Sequence, residues 1–302
     1  MNRPDPSAVT VVVTGANGLV GSRTCAALLE QGARVRAMVR RAGTAPAGTE
    51  ELVGDFADPE VARAAATGAD AVVTTVHPMG SGHDVQRRVG VEGTSAFAEA
   101  ARDAGVSRLV HLSTAAVYDR SPGVGDVDES SQLVGDDAGA YPVTKRDAEA
   151  ALAGVDGLTR VLLRPPAILG RGDSSVWNTL RPADVRDDPV ARRADPRRSW
   201  AWVHVEDLST LAADLATERV PEADDPAAGP VPLGCTALNV AAQPATWRDY
   251  LGTVTEALGV EPTWVEEPSW TGQVRADRAH AWGWRPRVDL TTALRELADD
   301  LR

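Results

Sequence analysis

Short apolar runs alternate with amphipathic segments along the first 165 residues of the chain. The run at 8–13 is apolar and β-branched, which is typical of a strand buried on both faces of a sheet. Further strands are predicted at 34–39, 51–53, 71–76, 108–113 and 159–163, and helices to about residue 31 and at 58–66, 84–104 and 141–152. This alternation predicts the α/β class, with a doubly wound parallel sheet whose ligands lie at the carboxyl ends of the strands.

Beyond residue 165 the regular alternation ends, and all eight tryptophans lie there. Helical patterns recur at 246–258 and 290–301, and 221–232 is expected to be a loop or linker. We therefore predict a sheet domain at 1–165 and a smaller lobe at 166–302, some of whose segments return to the sheet. Core packing is favoured over pocket lining for most of the tryptophans.

A glycine-rich turn at 14–21, with the spacing G-x-x-G-x-x-G, lies between the first strand and the first helix. Glycines there permit a tight turn and let backbone N–H groups approach a pyrophosphate at the helix N-terminus. A plain structural turn is the alternative, but the position of the motif favours a dinucleotide site. The next strand ends at Arg40-Arg41 instead of an acidic residue. Arginines suit the 2′-phosphate of NADP, which we favour over NAD, although both could be merely solvated.

Tyr141 and Lys145 form the most informative pair in the chain, because Lys145 is the sole lysine among 31 strongly basic residues. On a helix, residues four apart share a face. A cation beside Tyr141 is expected to lower the tyrosine pKa, as a general acid/base requires. Thr114 ends a predicted strand, where its hydroxyl could hydrogen-bond a substrate carbonyl. Taken separately, these residues also fit an ordinary surface pair and ordinary turn chemistry.

Composition narrows the class of protein. The formal net charge of −12 argues against nucleic acid or an anionic membrane as a partner. No long apolar run predicts a membrane span, and no signal-peptide pattern is evident, so a cytoplasmic protein is expected. Two cysteines and five histidines show no metal-ligand spacing, and no metal is predicted. The expected partner is a small-molecule substrate, and a homodimer remains open.

Together these motifs resemble those of the extended short-chain dehydrogenase/reductase family, the NAD(P)-dependent epimerase/dehydratase group, which implies a Rossmann-type fold. The marks of the resemblance are Thr14-Gly15-x-x-Gly18-x-x-Gly21, Gly54-Asp55, Gly93-Thr94, Ser113-Thr114-x-x-Val117-Tyr118, Tyr141-x-x-x-Lys145, Arg164-Pro165, 203–208 and 282–286. The resemblance implies that Tyr141 is the general acid/base and that Thr114 orients the substrate oxygen. Lys145 would lower the tyrosine pKa and hold the nicotinamide ribose.

The resemblance also implies two sets of binding residues. The expected cofactor set is Gly15, Asn17, Gly18, Leu19, Val20, Gly21, Arg40, Arg41, Asp55, Phe56, Thr75, Tyr141, Lys145 and Pro165. The expected substrate set is His77, Ala115, Ala116, Trp177 and Trp200.

Two departures from the family pattern bear on the substrate. Ala115-Ala116 replace the Asp-Glu of sugar-nucleotide dehydratases, which argues against dehydration. Trp200 replaces an arginine that grips a diphosphate in nucleotide-sugar members, although Arg197 or Arg198 could substitute for it. We therefore predict an NADPH-dependent reductase of a small, largely apolar carbonyl compound, by hydride transfer with Tyr141 as general acid/base. A nucleotide-sugar epimerase with a tightly bound NAD(P) and a non-catalytic NADP-sensing regulator are the alternatives.

Overall fold

A computed structural model describes residues 9–78 and 80–302 of the chain. The strands of the described part are Thr10–Thr14 (β1), Arg34–Val39 (β2), Glu50–Val53 (β3), Ala71–Thr74 (β4), Arg108–Leu112 (β5), Thr159–Arg164 (β6), Ala167–Leu169 (β7), Arg193–Ala194 (β8), Trp202–His204 (β9), Cys235–Asn239 (β10) and Thr263–Trp264 (β11). Seven of them form one parallel sheet in the order β10-β6-β5-β4-β1-β2-β3. The predicted doubly wound parallel sheet is confirmed, and residue 8 of the first predicted strand lies outside the described residues.

Helices cover both faces of this sheet and build the lobe. They are Leu19–Glu30 (α1), Pro59–Ala66 (α2), His83–Gln86 (α3), Thr94–Asp103 (α4), Ala140–Ala153 (α5), Arg181–Asp187 (α6), Val205–Ala216 (α7), Trp247–Leu258 (α8), Asp277–Ala281 (α9) and Leu290–Leu301 (α10). Within the described ranges, none of these helices is long and apolar enough to cross a bilayer.

Side chains of β1 alternate between the two faces, as the pleat of a strand requires. Val11 and Val13 point into a core shared with α1 and α7. Val12 points the other way, into a core shared with α2 and α4. Because every residue of β1 is buried, the continuous apolar run in the sequence has a direct physical cause.

The helix predicted over 84–104 is interrupted in its hydrogen-bonding pattern. A π-helical segment, Arg87–Gly93, joins α3 to α4. Its last residue, Gly93, packs so tightly that an added Cβ would lie 2.9 Å from the Cβ of Ala57. Side-chain periodicity alone could not distinguish this wider turn from an α-helix.

Two elements from beyond residue 165 complete the sheet domain. The strand β10 pairs in parallel with β6 at one edge, and α7 packs against α1. Residues 270–284, which include α9, also pack against the main core, around α1 and α7. A separate core forms around Trp200, Trp202 and Tyr250, between β7, β9, α8 and α10. Six of the eight tryptophans are buried, which agrees with the expected core packing, while Trp177 and Trp264 are half-buried.

Candidate active site

The glycine-rich turn connects the end of β1 to α1 with very little space around it. Gly15 has a φ of +64°, and a Cβ there would lie 2.8 Å from Oγ1 of Thr75. A Cβ on Gly21 would lie 2.2 Å from the carbonyl oxygen of Gly15. Both positions therefore require glycine, the first for its backbone conformation and the second for the close approach of helix and turn.

The N-terminus of α1 offers free backbone donors to an anion. Gly18 precedes the helix in an extended conformation and has no side chain to cap it, and the first turn contains no acidic residue. The first N–H groups of a helix lack internal partners, and the helix dipole favours negative charge there. Leu19, Val20 and Gly21 would thus contribute through their backbones, since the Val20 side chain is buried in the core.

Other predicted cofactor residues surround the same edge of the sheet. Thr75 follows β4 and donates from Oγ1 to the carbonyl of Thr14 at 2.7 Å. Asn17 donates to the hydroxyl of Thr44 at 3.2 Å. Asp55 is exposed and accepts from the backbone N–H of Ala57 at 3.0 Å. The ring of Phe56 packs against Phe97 in the core, so only its backbone is available to a ligand.

Arg40 and Arg41 are both exposed just beyond the end of β2. Within the described ranges neither guanidinium has an ion-pair partner closer than 4.0 Å. The loop that follows them is held by Glu51, whose carboxylate accepts from the N–H groups of Gly43, Thr44 and Ala45 at distances from 2.9 to 3.2 Å. These bonds keep the pKa of Glu51 below its usual range. The loop is thus fixed through its backbone and not through the side chains of the two arginines.

Thr114 and Tyr141 meet at the carboxyl end of β5. Thr114 is extended, and its Oγ1 accepts from the N–H of Ala116 at 3.1 Å. Tyr141 lies in the first turn of α5, where Pro142 removes an N–H that needs no helical partner. Burial raises the pKa of Tyr141, and a hydrogen bond with Thr114 acts in the opposite direction. The sequence predicts a lowered Tyr141 pKa beside Lys145, but here the pKa is raised, because the loss of solvation is the largest effect on it.

Lys145 lies one helical turn beyond Tyr141 and is buried. Its ammonium donates to the carbonyl of Leu112, the last residue of β5, at 2.6 Å. Burial lowers the pKa of Lys145 from 10.5 to about 8, while the negative charge of Glu149 raises it. The ammonium is thus partly destabilised and anchored to the strand that carries Thr114.

A buried polar network behind these residues was not predicted from the sequence. The carboxylate of Glu149 forms a two-pronged pair with Arg164, with distances of 3.0 Å to Nε and 2.6 Å to Nη2, and also accepts from the hydroxyl of Ser113. Arg164 donates to the hydroxyl of Tyr118 at 2.7 Å, and Tyr118 donates to Asn239 at 2.7 Å. The one available signal was spacing, since Glu149 follows Lys145 by a helical turn and so shares its face.

The predicted substrate residues divide into two groups. His77 lies at the site, with its ring edge-on to the Tyr141 ring at a centroid distance of 4.9 Å. Ala116 is half-buried beside Thr114. Ala115 is fully buried in the main core, so its methyl group is not available to a substrate as predicted. Trp200 is also displaced from its predicted role, because it stacks on Tyr250 at 4.4 Å inside the lobe core.

Trp177 lines a cavity in the lobe instead. This cavity has a volume of about 320 Å³ and is bounded by Val176, Trp177, Arg181, Arg193, Ala194, Arg198 and Trp247. The guanidinium groups of Arg181 and Arg198 lie over the Trp247 ring, at 5.6 and 5.4 Å from its centre. Such contacts orient an arginine without neutralising it. The cavity is therefore positively charged and aromatic in a protein whose net charge is −12.

Comparison with known proteins places this geometry in context. A family model described as NAD(P)H-binding matches residues 15–199. The 4-hydroxy-2-methyl-3-oxo-4-farnesyl-3,4-dihydroquinoline-1-oxide ketoreductase of Stigmatella aurantiaca is 33% identical over 174 residues, 54% of this chain and 51% of that protein. A ceramide reductase of Caulobacter vibrioides is 28% identical over 264 residues, 85% of this chain and 73% of that protein.

Among solved structures, the NAD complex of UDP-glucose 4-epimerase from Thermus thermophilus is similar throughout. Its TM-score is 0.72 at 23% identity, with 97% of this chain and 99% of the epimerase covered. At this identity the similarity concerns the fold. The chain spans about half the length of the first curated relatives that it matches.

The depressed pKa of Lys145 predicts a specific dependence of stability on pH. The unfolded chain, with a lysine pKa of 10.5, binds more protons than the folded chain between about pH 8 and 10.5. The contribution of Lys145 to the free energy of unfolding therefore rises with pH across this window. Between about pH 7 and pH 9.5, we expect the free energy of unfolding of the wild type to rise by about 2 kcal/mol relative to that of Lys145→Met. Urea unfolding across this pH range measures the difference, with Arg63→Met as an exposed-cation control, and parallel curves for wild type and Lys145→Met would contradict it.

Proposed function

Because the chain belongs to the NAD(P)H-binding family, and within it to the extended short-chain dehydrogenase/reductases, we propose that it is an NADP(H)-dependent carbonyl reductase. Its substrate would be a small, largely apolar compound. The observation that carries the proposal is the convergence of Thr114, Tyr141 and Lys145 at one edge of the sheet, beside a glycine turn that leaves helix N–H groups free. The ketoreductase and the ceramide reductase described above support this class of enzyme, since both are named for reductions.

The residues at this edge suit a dinucleotide. The turn at Gly15, Gly18 and Gly21 has no side chain that would obstruct a pyrophosphate, and the first turn of α1 presents N–H donors to it. Arg40 and Arg41 would bind the 2′-phosphate of NADP through charge-assisted hydrogen bonds. Lys145 would reach the nicotinamide ribose. When bound, the dinucleotide supplies the hydride that reduces the substrate carbon.

Thr114 and Tyr141 would handle the substrate oxygen. The Thr114 hydroxyl orients the carbonyl by a hydrogen bond, in the role of an oxyanion donor. Tyr141 then transfers its phenolic proton to the oxygen as negative charge develops there. The raised pKa means that Tyr141 is protonated at neutral pH, but it also makes the phenol a weaker acid, so release of the proton needs a cation nearby. Lys145, whose pKa of about 8 leaves it mostly charged at neutral pH, then stabilises the phenolate that forms.

A nucleotide-sugar epimerase is the second candidate, and the lobe cavity favours it. Arg181, Arg193 and Arg198 surround this cavity, although Arg193 also pairs with Glu267. Guanidinium groups bind phosphate oxygens in a forked geometry, so a diphosphate could be held there without the arginine that Trp200 replaces. An apolar ketone would use the tryptophan faces of the same cavity.

We predict that Tyr141→Phe lowers kcat for ketone reduction by about 10³-fold, because the proton donor is lost. Turnover is followed by the loss of NADPH absorbance, and NADPH affinity is expected to stay near the wild-type value. Tyr250→Phe serves as the matched control, since its hydroxyl donates to the carbonyl of Trp177 inside the lobe at 2.8 Å. Full turnover by Tyr141→Phe would refute the proposed chemistry.

We predict that Arg40→Ala/Arg41→Ala weakens NADPH binding by about 100-fold and changes NADH binding by no more than about threefold. Fluorescence titration with each dinucleotide measures both constants. The control is Arg34→Ala/Arg63→Ala, which removes the same charge from two exposed positions outside the predicted site. If the Arg40/Arg41 variant weakened the binding of NADPH and of NADH equally, the result would argue against a 2′-phosphate site.

The two candidate functions separate on sugar nucleotides. For the reductase, we expect UDP-glucose and dTDP-glucose to remain unchanged when incubated with the protein, as followed by proton NMR. An epimerase would interconvert them with their epimers without added cofactor, since its bound dinucleotide is reoxidised in each cycle. If the protein converts them and Arg198→Ala slows the conversion, the result would contradict the reductase and support the epimerase.

A further inference from the structure

We propose that His77 contacts the substrate and recognises a second oxygen close to the reacting carbonyl. The protein would then prefer β-oxygenated ketones, such as 3-oxo esters and 1,3-diones, over simple ketones. This inference rests on the proposed function of the Tyr141 site. It adds a residue that selects the substrate to those that carry out the chemistry.

The position of His77 follows from the sheet. The residue lies three positions after β4, so its backbone reaches the carboxyl edge where Thr114 and Tyr141 also lie. Its ring meets the Tyr141 ring edge-on, with an interplanar angle of 79°. A substrate whose carbonyl oxygen is held by the hydroxyls of Tyr141 and Thr114 must therefore extend past one of these two rings.

The ring nitrogens of His77 are shielded from solvent but lack partners. Neither Nδ1 nor Nε2 has a hydrogen bond within the described part of the chain. Gln86 is close enough to raise the pKa of His77, but none of its atoms lies at hydrogen-bond geometry to the ring. Its amide nitrogen donates to the carbonyl of Ser81 at 2.7 Å, and its oxygen accepts from Thr144 at 3.3 Å. A buried polar group without a partner costs about 1–3 kcal/mol, so a ligand that supplies the partner gains that much in binding.

Two other buried histidines have at least one partner. Nδ1 of His111 shares a hydrogen bond of 2.8 Å with Thr74 inside the sheet, while its Nε2 has no partner among the described residues. His204 accepts from the N–H of Glu206 at 3.3 Å and lies 3.2 Å from the carboxylate of Glu296. His77 differs from both because neither of its ring nitrogens has a partner in the described part of the chain.

The charge of His77 determines which partner it accepts. Burial, and secondly the nearby ammonium of Lys145, lower its pKa to about 4 against a smaller opposing effect of Gln86, so the imidazole is neutral at physiological pH. A neutral imidazole has one N–H donor and one acceptor nitrogen. It therefore suits an uncharged oxygen, such as an ester carbonyl, a ketone or a hydroxyl, and gains nothing special from an anion.

A glycine packs beside the ring at Nδ1. Gly90, in the π-helical segment, is the neighbour there, and a Cβ on it would lie 3.5 Å from Nδ1, in ordinary van der Waals contact. Segments of π-helix are often found at functional sites. Here the segment brings a residue without a side chain next to the imidazole.

Two ketones of equal chain length test the inference, ethyl 3-oxohexanoate and 4-nonanone, of which only the first has an ester carbonyl close to the ketone. His77→Phe keeps the ring but removes both nitrogens. We expect this variant to lower kcat/KM for the oxo ester by about tenfold or more, mainly by raising KM. The kcat/KM for 4-nonanone should stay within about twofold of the wild-type value. His77→Gln, which retains a donor and an acceptor, should recover part of the loss. His83→Phe, at an exposed position in α3, is the matched control.

Binding gives a second readout that is independent of turnover. In the Tyr141→Phe background with NADPH present, His77→Phe should weaken the binding of ethyl 3-oxohexanoate, measured by calorimetry, by about tenfold. Equal effects of His77→Phe on both ketones, or none on either, would overturn the inference while leaving the reductase intact. Turnover of neither ketone by the wild type, or retained turnover in Tyr141→Phe, would overturn the proposed function and the inference together.

Discussion

The carboxylate of Glu149 is the constraint on which the candidate active site depends. It is buried and joins three elements, through Ser113 at the end of β5, Arg164 at the end of β6 and its own helix α5. A buried ion pair is not a strong source of net stability, because both charges lose their hydration. Removing one partner is costly, however, since it leaves an uncompensated charge in the interior. The pair therefore fixes how α5 sits on the sheet, and with it where Tyr141 and Lys145 lie.

Charged side chains in the lobe are held differently from those at the sheet edge. Two of the lobe's arginines, Arg181 and Arg198, lie over the face of Trp247, and Arg120 from the sheet domain lies over Trp270 of the lobe at 5.5 Å. Burial and the nearby charge of Arg198 lower the pKa of Arg120, a sign that these cations lie close together. Under the proposed function, the sheet edge would carry out the chemistry and the lobe would select the molecule presented to it.

Sequence reasoning succeeded where the physical signal is local. The strand at 34–39 and the helix at 141–152 lie almost where they were predicted, because burial on a strand or a helix face leaves a periodic pattern. The roles of β10 and α7 could not be found this way, since pairing with β6 and packing on α1 depend on distant parts of the chain. The same is true of Arg164 with Glu149. For Tyr141, sequence proximity suggested the influence of a cation, but the depth of burial, which no local pattern encodes, decided the direction of the pKa shift.

The edge strand β10 completes the polar network of the site, and it is synthesised late in the chain. Asn239, its last residue, accepts from Tyr118, which in turn receives the bond from Arg164, and its backbone N–H donates to Glu129 in the loop before α5. Domains tend to fold as they emerge from the ribosome, N-terminal part first. Here the glycine turn and most of the sheet emerge well before the strand that completes the polar network. A nascent chain would thus acquire a dinucleotide site early and a fully ordered catalytic edge only after residue 239 has docked.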